Sequence, residues 1–168
     1  MNILSTPISR IEIEKLKIGD MIYVSGEIFC GRDMVLPKIV DMAESGEIKK
    51  KGIELSGGLI FHTAVSAAGI GPTSSNKVEI ESSIIPLSKA GVRIHLGKGR
   101  ISDDTIDGLC KYGSAYAIVP PVTALLGNTV KRSTVVCCEE LGMEAFYCLE
   151  IDKMPMIIAA ANGRSIYA

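Results

Sequence analysis

The sequence predicts a layered α/β domain with a parallel or mixed central sheet and a second, smaller sheet. Three observations carry that prediction. Strand-like and helix-like segments alternate through the middle of the chain, which implies parallel strands joined by crossover helices. Both ends are richer in strand patterns than in helix patterns. Near the C-terminus Asn162-Gly163, a strong two-residue hairpin signal, folds the last strand back on its predecessor. The 168 residues fit one domain, 1–168, and suffice for a sizeable core.

Taken in order, the first ten residues read as an arm containing Pro7. Residues 10–14, Arg-Ile-Glu-Ile-Glu, alternate as a half-buried strand does. A turn at Lys17-Ile18-Gly19-Asp20 leads into a strand from Met21 to Phe29, in which Gly26 suggests a bulge. Two early strands with a turn between them point to a small antiparallel layer. After Cys30-Gly31-Arg32-Asp33, residues Val35, Ile39, Val40 and Ala43 recur at helical spacing up to Gly46, and Asp33 suits the helix start on dipole grounds. Gly57 to Val65 reads as a buried strand feeding a loop and helix, and Val92 to Leu96 as another. Ser102 with Asp103 and Asp104 forms a cap and acidic first turn for a helix to about Tyr112, closed by Gly113. A strand from Ser114 to Val119 ends at Pro120, and Val122 to Leu126 suits a short helix. Arg132–Glu139 and Ala145–Ile151 read as strands around a Leu141-Gly142 turn. Met156–Ala161 is one more, paired with Arg164–Tyr167.

Composition narrows the function classes. Apolar residues make up 47% and charged residues 22%, a globular balance, and a net charge of −1 argues against non-specific nucleic-acid binding. No apolar run has the length of a membrane span, and Met1 to Arg10 lacks a signal-peptide core, so a cytoplasmic location is expected. The five cysteines (Cys30, Cys110, Cys137, Cys138, Cys148) form no C-x-x-C pair and mostly sit among apolar residues. They read as buried free thiols in preference to metal ligands. His62 and His95 lie in apolar runs and read as core or strand-end residues.

The stretch Gly71-Pro72-Thr73-Ser74-Ser75-Asn76-Lys77 resembles a polar loop running into a helix. Free N–H groups at a helix start favour anions, although an ordinary turn and cap has the same composition. A second loop, Leu96-Gly97-Lys98-Gly99-Arg100, places a cation between glycines after an apolar strand. Arg32, the Thr73 loop and Lys98 all fall outside the carboxyl ends of expected parallel strands, where ligands of such sheets bind. Arg32, Lys77 and Lys98 thus make a plausible pocket for a substrate with more than one carboxylate. No Ser/His/Asp pattern, P-loop or dinucleotide fingerprint accompanies them.

Gly31-Arg32-Asp33, Gly71-Pro72-Thr73-Ser74-Ser75, Gly97-Lys98-Gly99 and the run from Glu144-Ala145 through Pro155, in that order, resemble the β subunit, or C-terminal domain, of class I iron–sulfur fumarate hydratases and L-tartrate dehydratases. The resemblance spans about Gly19 to Gly163. It implies a swivelling β/β/α domain and an α subunit holding a [4Fe-4S] cluster, whose open iron acts on the substrate hydroxyl. This chain alone would bind no cofactor. Arg32 and Lys98 would clamp the carboxylates of a small dicarboxylate, with Ser74 and Lys77 as further substrate contacts, and Thr73 would place its hydroxyl to remove the C3 proton. The implied assembly is a hetero-oligomer, with homodimerisation through this subunit as an option; no nucleic acid or membrane is involved. Departures from the family pattern are Lys77 for an arginine, Leu36 for a histidine, Pro120-Pro121-Val122 for Gly-Gly-Ala, and Thr63-Ala64 for a second Gly-Pro pair. They suggest a changed substrate, or a non-catalytic anion-binding or regulatory relative.

Overall fold

The computed structural model of the chain describes residues 2–66, 69–73, 77–120 and 128–167, with the backbone alone at 64–66, 69–73 and 77–80. In chain order its elements are β1 (Asn2–Ser5), α1 (Arg10–Glu14), β2 (Met21–Cys30), α2 (Leu36–Ser45), α3 (Glu47–Lys50), β3 (Leu59–Phe61), β4 (Thr63–Ser66), β5 (Gly69–Thr73), α4 (Lys77–Lys89), β6 (Ile94–Gly97), α5 (Asp103–Tyr112), β7 (Ala115–Ile118), β8 (Val130–Cys137), a 3-10 segment Glu139–Glu144, β9 (Phe146–Ala161) and β10 (Arg164–Ser165).

The main sheet is mixed. Strands β1, β2, β3, β6 and β7 pair in parallel in that order, while β9 runs antiparallel to both β7 and β2. Because β9 reaches both, the path β2-β3-β6-β7-β9 closes on itself, and β8 and β10 attach to β9. Closure leaves edges only at the attached strands β1, β8 and β10 and gives alternate residues of the closed path an enclosed interior. Ile22, Val24 and Ile28 of β2, Phe61 of β3, Leu96 of β6, and Met154, Met156 and Ile158 of β9 fill it. The other face is covered by helices: α2 and α3 pack Ile39, Met42 and Ile48 over Ile60 and Phe146, while α5 packs Ile106 and Leu109 with Ile84 of α4 over Tyr116. Each such fully buried aliphatic side chain contributes about 1.5–3 kcal/mol.

Several local expectations hold. Helix α2 ends at Gly46 with φ 82°, and α5 starts where Ser102 Oγ accepts from Thr105 N and stops at Gly113 with φ 70°. Asn162 and Gly163 both adopt positive φ between β9 and β10, as the hairpin signal requires.

Others are corrected. Residues 10–14 form helix α1, since Ser9 Oγ caps Glu12 N and only Ile13 is buried, with Ile11 turned to solvent. The N-terminal arm is strand β1, parallel to β2, so the early layer is not antiparallel. The bulge beside Gly26 carries its additional residue on β9, where Val24 and Gly26 oppose Met154 and Ile151. The run from Gly57 to Val65 breaks at His62 into β3 of the main sheet and β4 of a separate two-stranded sheet with β5. Gly71, Pro72 and Thr73 belong to strand β5; an edge pair tolerates Pro72, which has no partner in the register. The segments Ala145–Ile151 and Met156–Ala161 form one 16-residue strand, β9, with Pro155 opposite Tyr23. The helix expected at Val122–Leu126 lies outside the described residues. Buried thiols hold for Cys30 and Cys137 only; Cys110 is exposed, and Cys138 and Cys148 are half-buried.

Candidate active site

The carboxyl ends of β2, β3, β6 and β7 are neighbours, and backbone bonds fix their mutual heights. Gly31 N donates to Phe61 O at 3.0 Å, His62 N to Leu96 O at 2.9 Å and Val119 N to Gly97 O at 3.2 Å. Each of these bonds sits where a strand gives way to a loop, so the loops start from a common rim. Arg32, Thr63 and Lys98 all leave from it.

Arg32 follows β2 directly. Its carbonyl accepts from Val35 N and Leu36 N, which turns the chain into α2, and its Nε lies 3.4 Å from Glu144 Oε1. A side chain on Gly31 would meet Val35 Cγ1 and Phe146 Cδ1, so the glycine lets the loop lie against β9. Leu36, where the family resemblance implies a histidine, is buried with Ile39, Ile60 and Leu87. Its side chain follows the apolar face of α2 into the helix-packing core.

Lys98 is exposed on the loop after β6. The next carbonyl, Gly99 O, accepts from both Tyr116 and Tyr167 hydroxyls at 3.1 Å each, with Gly99 at φ 84°. Gly97 leaves room for the Tyr116 ring, whose hydroxyl a Cβ would meet at 3.2 Å. Two tyrosines thus pin the loop that carries the lysine. A depression of about 500 Å³ bordered by Arg100, Asp103, Asp107, Arg164 and Tyr167 lies beyond this loop; neither Arg32 nor Lys98 lines it.

Between the two cation-bearing loops His62 follows β3. It is fully buried, as is His95; His62 Nε2 is 3.5 Å from His95 Nδ1, and His95 Nε2 is 2.8 Å from Ser88 Oγ of α4. Burial holds His62 down to about 4 against an opposing pull from Asp33, and holds His95 well below its ordinary value, helped by His62. Both are neutral core residues, as the apolar runs around them suggest. Cys30 Sγ donates to Thr63 O at 2.9 Å, and its thiol is pushed up chiefly by burial.

Of the other expected site residues, Thr73 ends β5 opposite Thr63, which ties its backbone to the rim through β4, and Lys77 opens α4. Ser74 lies outside the described residues. Sequence reasoning singled out Glu144 only as part of a family motif and missed its pairing with Arg32, as it missed Tyr116 and Tyr167; these partners are between 17 and 112 residues apart in the chain. It also missed Glu81, whose Oε1 accepts from Ser102 N and from Thr105 Oγ1, joining α4 to the start of α5.

Residues 2–168 match the family described as the fumarase C-terminus. The chain belongs to that family. A Methanocaldococcus jannaschii protein provisionally named L(+)-tartrate dehydratase subunit beta is 33% identical over 175 residues, covering 95% of this chain and 88% of that one. The L(+)-tartrate dehydratase subunit beta of Escherichia coli K12 is 28% identical over 182 residues, covering 99% and 86%. Fumarate hydratase 2 of Leishmania major is 26% identical over 175 residues, covering 98% of this chain but only 31% of its own. The chain thus covers most of the length of those two relatives and under a third of that fumarate hydratase. No helix among the described residues is long and apolar enough to cross a membrane.

Proposed function

We propose that this chain is the β subunit of a two-subunit iron–sulfur hydro-lyase that interconverts a 2-hydroxy dicarboxylate and its unsaturated diacid, fumarate and malate first, tartrate second. In this reading residues 1–168 act as one swivelling β/β/α domain in the cytoplasm, in a hetero-oligomer with an iron–sulfur α subunit. The observation that carries the reading is the placement of the Arg32 and Lys98 loops at the carboxyl ends of β2 and β6, on either side of β3, in a fumarase C-terminus family member. Two strand spacings separate those ends, roughly 10 Å, a gap that two long cationic side chains span from both sides of a small diacid.

Arg32 and Lys98 each hold a carboxylate through charge-assisted bonds of about 1.5–3 kcal/mol. Ser74 and Lys77 add contacts, Lys77 as a flexible point charge. Thr73 handles the C3 proton; its hydroxyl is a weak base, so the partner subunit supplies the group that activates it. The described residues include no group of three or more His, Cys, Asp or Glu side chains suited to a metal ion, and the cysteines do not fit a cluster. The [4Fe-4S] cluster belongs to the α subunit, and no step is assigned to it on this chain.

The Arg32–Glu144 ion pair favours a second reading, a non-catalytic relative that kept the fold, because an internal carboxylate already sits where substrate would bind. Reconstitution with the cognate α subunit separates the two. Fumarate or tartrate turnover should appear, and Thr73→Ala should lower it about 10²-fold or more with little change in KM. A complex that forms, carries its cluster and stays inactive on diacids establishes the second reading.

A further inference from the structure

Outside the Arg32 and Lys98 loops, sulfur atoms of Cys137, Cys138 and Met42 meet where β8 packs on α2. Cys137 Sγ is 3.1 Å from Cys138 Sγ and 4.0 Å from Met42 Sδ. Cys137 and Met42 are nearly buried, 7% and 9% exposed, whereas Cys138 is half-buried at the wall of a shallow surface depression shared with Lys38, Asp41, Glu47 and Glu140. The backbone creates this meeting: β8 ends at Cys137, and Cys138 adopts φ 61°, ψ 45°, a left-handed conformation uncommon for a residue other than glycine. In a continued strand the two side chains would point to opposite faces; the turn brings both thiols to the same side as Met42.

We propose that Met42, Cys137 and Cys138 form a binding site for one soft monovalent metal ion of the copper(I) class. Two thiols and a thioether are the donor set that selects such an ion over zinc, which takes a closed four-coordinate shell of thiolate, imidazole and carboxylate. Sulfurs bonded at about 2.3 Å to one ion in a trigonal plane lie roughly 4 Å apart, the spacing that Cys137 and Met42 already have. The Cys138 thiol closes the third side by rotating outward by about 1 Å into the open depression. On binding, the two S–H bonds break, both protons pass to solvent, two metal–thiolate bonds and one thioether bond form, and no electron is transferred. The resulting single negative charge faces Lys38, which opposes Glu140 at Cys138. Without metal the Cys138 thiol is pushed up to about 12, first by burial and then by Cys137, which keeps Cys138 from reacting readily as a thiolate. The site is independent of the hydro-lyase reading.

The test is anaerobic titration of the full chain, reduced with a phosphine, by copper(I) held on a chromophoric chelator. One equivalent should transfer, with sulfur-to-copper charge-transfer absorption in the near ultraviolet. Cys138→Ser, at a half-exposed position, should weaken binding at least 100-fold, and Met42→Leu about 10-fold. Cys110→Ser and Cys148→Ser should bind as the natural chain does. No transfer from the chelator, or transfer that Cys138→Ser and Met42→Leu leave unchanged, overturns the assignment.

Discussion

Arg32 Nε lies 3.4 Å from Glu144 Oε1, joining the end of β2 to the segment that leads into β9, with both side chains about one quarter exposed. Both charged groups lie mostly out of solvent, so desolvation offsets much of their attraction and the pair adds little net stability. Where Arg32 holds a substrate carboxylate as proposed, Glu144 would both orient the guanidinium and repel that anion. Glu144→Gln should leave the urea midpoint almost unchanged and strengthen diacid binding to the α–β complex about 3- to 10-fold, measured by calorimetry. Weaker binding would mean that Glu144 acts mainly to orient Arg32.

Tyr116 and Tyr167 both hold Gly99 O, but Tyr116 is buried and Tyr167 half-buried. Tyr116→Phe should therefore cost about 1 kcal/mol in unfolding free energy and Tyr167→Phe less. If the pair positions Lys98, the double variant should raise KM for the diacid several-fold while kcat changes less. An unaltered KM would leave the tyrosines a purely structural role.

Lys77 opens α4, at a position where the family resemblance implies an arginine. A guanidinium grips a carboxylate through two parallel bonds, so Lys77→Arg should improve fumarate hydration by about 10- to 150-fold in kcat/KM, the worth of one charge-assisted bond. Steady-state kinetics on fumarate, tartrate and methyl-substituted diacids decide it. A drop on fumarate in an already efficient enzyme would show Lys77 matched to its own pocket.

The buried histidines set a pH dependence. His62 is held at about 4 in the folded chain against an ordinary 6.5, so between those values the unfolded chain binds the additional proton. Stability is then complete above about pH 6.5 and falls as pH drops toward 4, by on the order of 3 kcal/mol for His62. His62→Asn should be less stable at pH 7 but flatter between pH 7 and 5 in urea unfolding. An unchanged slope would place the proton uptake elsewhere.

The sequence by itself determined the signals that span a few residues. Ser102 and Gly113 bound α5, Gly46 ends α2, and Asn162-Gly163 turns the last hairpin, because caps and positive φ values depend on local chemistry. The strand-end positions of Arg32 and Lys98 were legible for the same reason, as each follows an apolar run broken by glycine. The tertiary structure decided what depends on distant partners. Arg-Ile-Glu-Ile-Glu fits a strand or a helical turn equally well over five residues, and the Ser9 cap with Ile13 packed in the core selects the helix. Strand β9 runs unbroken through Pro155 because it must reach both β2 and β7, a demand set by sheet closure and absent from its own residues. Glu144 on Arg32, and two tyrosines on Gly99, follow from that closure: it folds chain segments far apart in sequence onto one rim.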